Sequence, residues 1–289
     1  MFSFNKKTNK LDKVLKNLVK NEIAVTHHAT KSSGAIYRSK IGGKPAAPEG
    51  FEWPRFEAEN FNEETANRPL SFLCQINLEE ICDYDKEELL PKKGLLLFFY
   101  EMESMCWGFD PSDEGCSRVY YFEDVKGLVP TDIPSDIDSD YIIKEYDLKF
   151  KSKPSYPSFE ELDLYSDIDC DWDDYDKAVE KKGYELDSER HKLLGYADLI
   201  QGEMLTECER TTRGFYCGNS ESYRNTPDSV KLDIKRCATD WTLLFQMASI
   251  EDDDFELMFG DVGNLYFYIK KEDLKTKSFE KAWLVLQCG

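Results

Sequence analysis

The chain has 289 residues, in which 57 Asp and Glu stand against 37 Lys and Arg to give a formal charge of −20. Hydrophobic residues make up 41% and aromatics 13%, ample for a core and too many for a disordered polymer. The negative excess sets the chain against autonomous binding of nucleic acid or an anionic membrane, both polyanions, and makes a basic protein the electrostatically easy partner.

Residues 1–20 carry six lysines and lack the apolar run of a secretory signal. The longest uncharged apolar run, Leu95 to Tyr100, suits a buried strand and falls far short of a membrane span. Nine scattered cysteines in a chain large enough to fold without staples predict reduced thiols and a cytoplasmic location.

In chain order, Leu11, Val14, Leu15 and Leu18 recur at helical spacing and predict an amphipathic helix from about Lys6 to Asn21. The Gly- and Pro-dense stretch from Ile36 to Pro54 predicts an ordered loop. Apolar runs bounded by breakers predict strands at Pro69–Leu78, Gly94–Tyr100 and Arg118–Phe122, with another over Tyr141–Phe150 after a loop from Val129 to Asp140. Ser158-Phe-Glu-Glu161 has the form of a capping box and predicts a short helix from Phe159 to about Tyr165. A second helix is predicted over Asp173–Lys182, ended by Gly183. Runs opening at Trp241, Gly263 and Ala282 predict the last strands.

The runs also repeat. Leu73-Cys-Gln75-Ile is matched by Leu244-Phe-Gln246-Met, and the run opening at Gly94 by the run opening at Gly263; Ile41-Gly42 and Leu194-Gly195 precede the two sets in the same order. The fold class expected is therefore α+β, with two diverged strand-rich repeats packed as one compact unit. The N-terminal helix and connection take residues 1–35 and the first repeat 36–150. An acidic helical insertion follows at 151–190, and the second repeat occupies 191–289.

Several separated motifs fall in one order: Ser39-Lys-Ile-Gly-Gly-Lys-Pro, Trp53-Pro54, Pro69-Leu-Ser-Phe-Leu-Cys-Gln-Ile-Asn-Leu, Leu90-Pro-Lys-Lys-Gly-Leu-Leu-Leu-Phe-Phe, Leu193-Leu-Gly-Tyr and Gly260-Asp-Val-Gly-Asn-Leu-Tyr-Phe-Tyr-Ile. In these the chain resembles the YwqG-like family, also described as the DUF1963 domain. The resemblance implies an α+β fold in the cytoplasm and brings no established activity with it.

Candidate chemistry is sparse. His27, His28 and His191 are the only histidines, few for a metal site or a two-histidine relay, and no Cys-x-x-Cys is present. No metal and no cofactor is expected. The run Asp169 to Glu180 places carboxylates at calcium-loop positions but has Asp174 where such loops need Gly; a solvated acidic turn feeding a helix is the reading adopted. Gly42-Gly43 lacks a phosphate-binding pattern, although Lys40, Gly42, Gly43, Lys44 and Trp53 can line a groove between the repeats. Gln75 and Gln246, inside strand runs, must be hydrogen-bonded, most simply to backbone of the facing repeat. Glu160 to Asp176 holds nine carboxylates and no Lys or Arg, with Tyr165, Trp172 and Tyr175 as candidate anchors. The expected function is a non-enzymatic, immunity-like module that masks a basic partner; the alternative is a hydrolase or transferase with its site in the Gly-Gly and Trp-Pro loop groove.

Overall fold

The computed structural model describes residues 2–30, 34–60, 62–184 and 190–289, with side chains from residue 10 onward. The first part of the chain forms α1 (Phe2–Leu18), β1 (Lys20–Ala29), β2 (Lys40–Ile41), β3 (Ala46–Pro48), the hairpin of β4 (Arg55–Glu59) and β5 (Thr65–Pro69), β6 (Ser71–Asn77) and α2 (Leu78–Ile81). Then come β7 (Leu95–Tyr100), β8 (Ser117–Phe122), β9 (Leu128–Pro130), β10 (Tyr146–Ser155), α3 (Leu162–Tyr165), α4 (Trp172–Glu180) and β11 (His191–Leu194). The last part holds α5 (Leu205–Thr212), α6 (Ser220–Asn225), α7 (Asp228–Ala238), β12 (Trp241–Ala248), the hairpin of β13 (Ile250–Asp252) and β14 (Phe255–Leu257), β15 (Asn264–Lys270), α8 (Lys271–Lys275) and β16 (Trp283–Gln287).

Ten of these strands make one sheet in the order β16-β15-β12-β11-β1-β10-β2-β6-β7-β8. At its centre β1 and β10 pair antiparallel over their whole lengths, from Lys20 opposite Ser155 to Ala29 opposite Tyr146. The sheet curls until it is nearly a closed barrel. Phe98 of β7 lies 4.8 Å from Phe245 of β12 and 5.2 Å from Phe267 of β15, ring centre to ring centre. At the seam the Leu286 N–H of β16 donates to the Trp107 carbonyl at 3.0 Å.

Alternation explains why the longest apolar run is a strand. Leu96, Phe98 and Tyr100 point into the barrel, while Leu95, Leu97 and Phe99 point outward beneath Ala46, Ala47, Leu70 and Leu128. On the other half Phe245, Met247, Leu265 and Phe267 fill the interior. There Trp241, Tyr266, Tyr268 and Trp283 face outward under Met204, Leu205, Cys208 and Ala238. Both β6 and β12 carry a register shift, at Phe72/Cys74 and Leu243/Phe245. A bulge turns two successive side chains to one face, so Leu73 and Cys74 share the interior with Leu244 and Phe245.

The α+β class expected from the sequence is the one observed, and the runs at Gly94, Trp241, Gly263 and Ala282 are strands. Three expectations need correction, and one group of elements was not anticipated. The N-terminal helix ends at Leu18, and the stretch read as connection holds β1, the central strand, whose polar Lys20, Glu22 and His27 hide a buried alternation at Ile23 and Val25. The strand expected over Tyr141–Phe150 is displaced to Tyr146–Ser155, because Ser139–Tyr141 close a 3₁₀ turn capped by Asp138. Ser158 and Glu161 do exchange the two capping-box hydrogen bonds, yet the helix begins only at Leu162. The helices α5 to α7, which cover the second half, were not anticipated, since their buried faces are short and mixed with charge.

Candidate functional site

In the first half of the sheet Lys40 of β2 stands opposite Gln75 of β6. The Gln75 Oε1 accepts from the Ala46 N–H at 3.0 Å, and its Nε2 donates to the carbonyls of Ile36 at 2.8 Å and Arg38 at 2.7 Å. Lys40 pairs with Glu145 at 2.7 Å, as Arg38 does with Glu145 and Asp147. Gly42 and Gly43 have positive φ of 61° and 69°, and a Cβ on Gly42 would lie 2.3 Å from the Lys144 carbonyl oxygen. These glycines let β2 press on the segment leading into β10. Lys44 is an exposed partner of Asp132 at 2.6 Å, and the Trp53 indole donates to the Leu70 carbonyl at 2.8 Å while its ring meets Phe99 edge-on.

The second half repeats this wiring. Lys192 of β11 stands opposite Gln246 of β12, whose Oε1 accepts from the Asp198 N–H at 2.9 Å and whose Nε2 donates to the Arg190 carbonyl at 3.0 Å. Each glutamine therefore bonds within its own half and not to the facing one. Lys192, fully buried, pairs with Glu22 at 3.3 Å and Asp198 at 2.7 Å, and Arg190 bridges the same two carboxylates. Burial alone would raise the Asp198 pKa; Lys192 and Arg190 hold it below the usual range. Counting onward from the two lysines, Gly43 falls with Gly195 and Gly42 with Leu194, all four with φ between 60° and 73°.

The structure joins two histidines that lie far apart in sequence. His191 Nδ1 accepts from the Ala248 N–H at 3.0 Å, so its proton sits on Nε2 and is donated to His27 Nδ1 at 2.9 Å. Burial, with His27 adding, pulls the His191 pKa down to about 3. With its Nδ1 lone pair engaged, His27 carries its proton on Nε2, and the residue lines a cavity of about 620 Å³ with Asp252 and Asn264. The sequence showed only the small number of histidines; the pairing of β1 with β11, which sets Val25 opposite His191, was the missing information.

The acidic insertion builds a different surface. Asp171 caps α4 by accepting from the Asp174 N–H at 2.8 Å, so this carboxylate serves a helix end. Among the described residues no group of three or more His, Cys, Asp or Glu is placed to hold a metal ion. Trp172 is 46% exposed and meets Phe159 edge-on at 5.2 Å. Behind it lies a hollow of about 230 Å³ walled by Tyr156, Phe159, Trp172, Tyr175 and Tyr184, with Asp198 at the floor and Glu160 at the mouth. Tyr175 is fully buried and donates its hydroxyl to the Pro157 carbonyl, and Tyr165 packs edge-on against Tyr196. Of the three aromatic anchors expected, Trp172 is exposed, Tyr165 is partly buried and Tyr175 is fully buried. Among the described residues Asp167, Asp171, Asp173, Asp174 and Asp176 form no ion pair.

A family model described as a domain of unknown function, DUF1963, matches residues 39–288. The chain belongs to the DUF1963 family. The DUF1963 match takes in every strand of the ten-stranded sheet except β1. No curated protein matches the chain. Among the described residues, no helix of this DUF1963 protein is long and apolar enough to cross a membrane.

Proposed function

We propose that this DUF1963 protein is a non-enzymatic cytoplasmic binding module that masks a basic protein, and that the partner docks on α4 with a lysine or arginine side chain in the hollow behind Trp172. The observation that carries this reading is the hollow itself, where five aromatic side chains surround about 230 Å³ with Glu160 beside them, Asp198 being already paired with Lys192 and Arg190. Aromatic faces attract cations by about 0.5–2 kcal/mol each, more as water is excluded. The carboxylates of α4 that lack ion pairs raise the local concentration of a cationic partner. The alternative hydrolase or transferase site has less support, because Lys40, Gln75 and Trp53 are all engaged by the protein's own groups.

The same proposal includes a duplicated origin for the frame. In its favour, the strand order is symmetric about the β1/β10 pair, and a bulged strand carrying a buried glutamine occupies matching places on the two sides.

Calorimetric titration with a peptide of alternating Lys and Gly, against its Glu counterpart, tests the binding reading. The lysine peptide is expected to bind and to weaken steeply with salt over a Debye length of about 8 Å at physiological strength. Replacing Asp173, Asp174 and Asp176 by Asn should weaken it about tenfold; equal binding of both peptides, or indifference to those replacements, would refute the reading.

A further inference from the structure

Lys20, the first residue of β1, holds its ammonium 3.9 Å from the centre of the Tyr196 ring and 5.8 Å from that of Tyr165. Among the described residues no carboxylate pairs with it and no acceptor takes a hydrogen bond from it. Burial pulls its pKa down to about 8, opposed by Glu161 and Glu87 and assisted by Lys271. A half-buried cation resting on two rings is stabilised by their faces and still lacks an anion.

Lys20 also lines a cavity of about 470 Å³ whose apolar wall is Leu89, Leu90, Pro91 and Leu274. That volume lies in the range of small-molecule sites, which combine apolar walls with a few polar groups. Lys271, Lys275 and Lys277 also border it, against Glu87 and Glu88. Both acids are occupied: Glu87 accepts from the Asn21 N–H at 2.6 Å, and Glu88 pairs with Lys92 at 2.7 Å. Each rim lysine has an oxygen partner, Lys271 the Thr239 carbonyl, Lys277 the Glu123 carboxylate and Lys275 the Glu272 carboxylate at 3.9 Å, whereas among the described residues Lys20 has only the two rings. In a chain of charge −20, the cavity is a cationic opening over an apolar floor. It is separate from the acidic hollow, and the two readings stand or fall independently.

We propose that this cavity binds a small amphiphilic carboxylate, its carboxylate on the Lys20 ammonium and its hydrocarbon chain against Leu89, Leu90, Pro91 and Leu274. An ammonium that has no anionic partner among the described residues gains a charge-assisted hydrogen bond when the carboxylate arrives, and the leucines supply the apolar burial that inorganic anions cannot use.

Calorimetry with decanoate below its micelle concentration, with decan-1-ol and inorganic phosphate in parallel, tests the assignment. Decanoate should bind one to one, and the alcohol and phosphate each at least about tenfold more weakly. Lys20→Met should cost decanoate about tenfold or more while leaving the lysine-peptide titration unchanged. If that variant does not fold, the wild-type pH series decides. Decanoate affinity should fall several-fold as pH rises through about 8, where Lys20 gives up its proton. Absence of decanoate binding, equal affinity for the alcohol, preference for phosphate, or an affinity independent of both Lys20 and pH would overturn the proposal.

Discussion

Gln75 and Gln246 hold the same positions in the two halves of the sheet: the oxygen of each accepts the backbone N–H of Ala46 or Asp198, and the nitrogen of each donates to the carbonyl of Arg38 or Arg190. Both side chains are fully buried. Each ties a loop to a bulged strand, and removing either strands backbone groups that have no water to turn to. Gln75→Leu and Gln246→Leu are each expected to lose about 2–4 kcal/mol by urea unfolding. A loss under about 0.5 kcal/mol for either would remove it from the frame.

The ion clusters beside these glutamines differ in depth. Lys192 and Glu22 are fully buried, whereas Glu145, the partner of Lys40, is 31% exposed in its side chain. Lys192→Met leaves two buried carboxylates with one cation and should cost about 3–5 kcal/mol. Lys40→Met, where water reaches the partner, should cost about 1–2 kcal/mol. The same denaturation experiment ranks them, and equal losses would contradict the difference in burial.

His191 gives a pH dependence with a definite sign. Its folded pKa of about 3 lies below the ordinary 6.5, so between those values the unfolded chain binds the proton that the folded chain refuses. Its contribution to stability is full above about pH 6.5 and is lost as pH falls toward 3. Stability measured across that window should fall less steeply in His191→Asn than in the wild type. Nitrogen-resolved NMR should find His27 protonated on Nε2 and His191 likewise; the opposite tautomer at either ring would break the assigned chain of donors.

Glu207 runs the other way. Burial, with Glu203 adding, lifts its pKa from 4.5 to about 7. Between those values the folded chain keeps a proton that the unfolded chain releases, so stability drops as pH rises through the window. Glu207→Gln should match the wild type near pH 4 and exceed it by about 1–2 kcal/mol near pH 8. Thermal melts at both pH values check this, and equal melting shifts would contradict it.

What could be read from the sequence follows from where burial is two-sided. Leu95 to Tyr100 and Trp241 to Ala248 are buried on both faces, so their apolar runs declare themselves without any partner being known. β1 does not, because Lys20, Glu22 and His27 interrupt it, and each is accommodated by a residue from another segment: Tyr196, Lys192 and His191. Register, which no local pattern carries, decides those pairs. The same limit applies to the site. Trp172 stands out among its carboxylates, but Tyr156, Phe159 and Tyr184 join it only through the packing of the insertion against Ala197 and Asp198. Tyr175, equally prominent in sequence, faces inward on the period of α4.

The indole resonance of Trp172, followed while labelled protein is titrated with the alternating Lys and Gly peptide at physiological ionic strength, tests the binding account most directly. The account predicts that this resonance shifts with the binding isotherm and that Trp172→Ala lowers affinity about tenfold without changing the fold. An unmoved Trp172 resonance during saturable binding, or full affinity in Trp172→Ala, would contradict it.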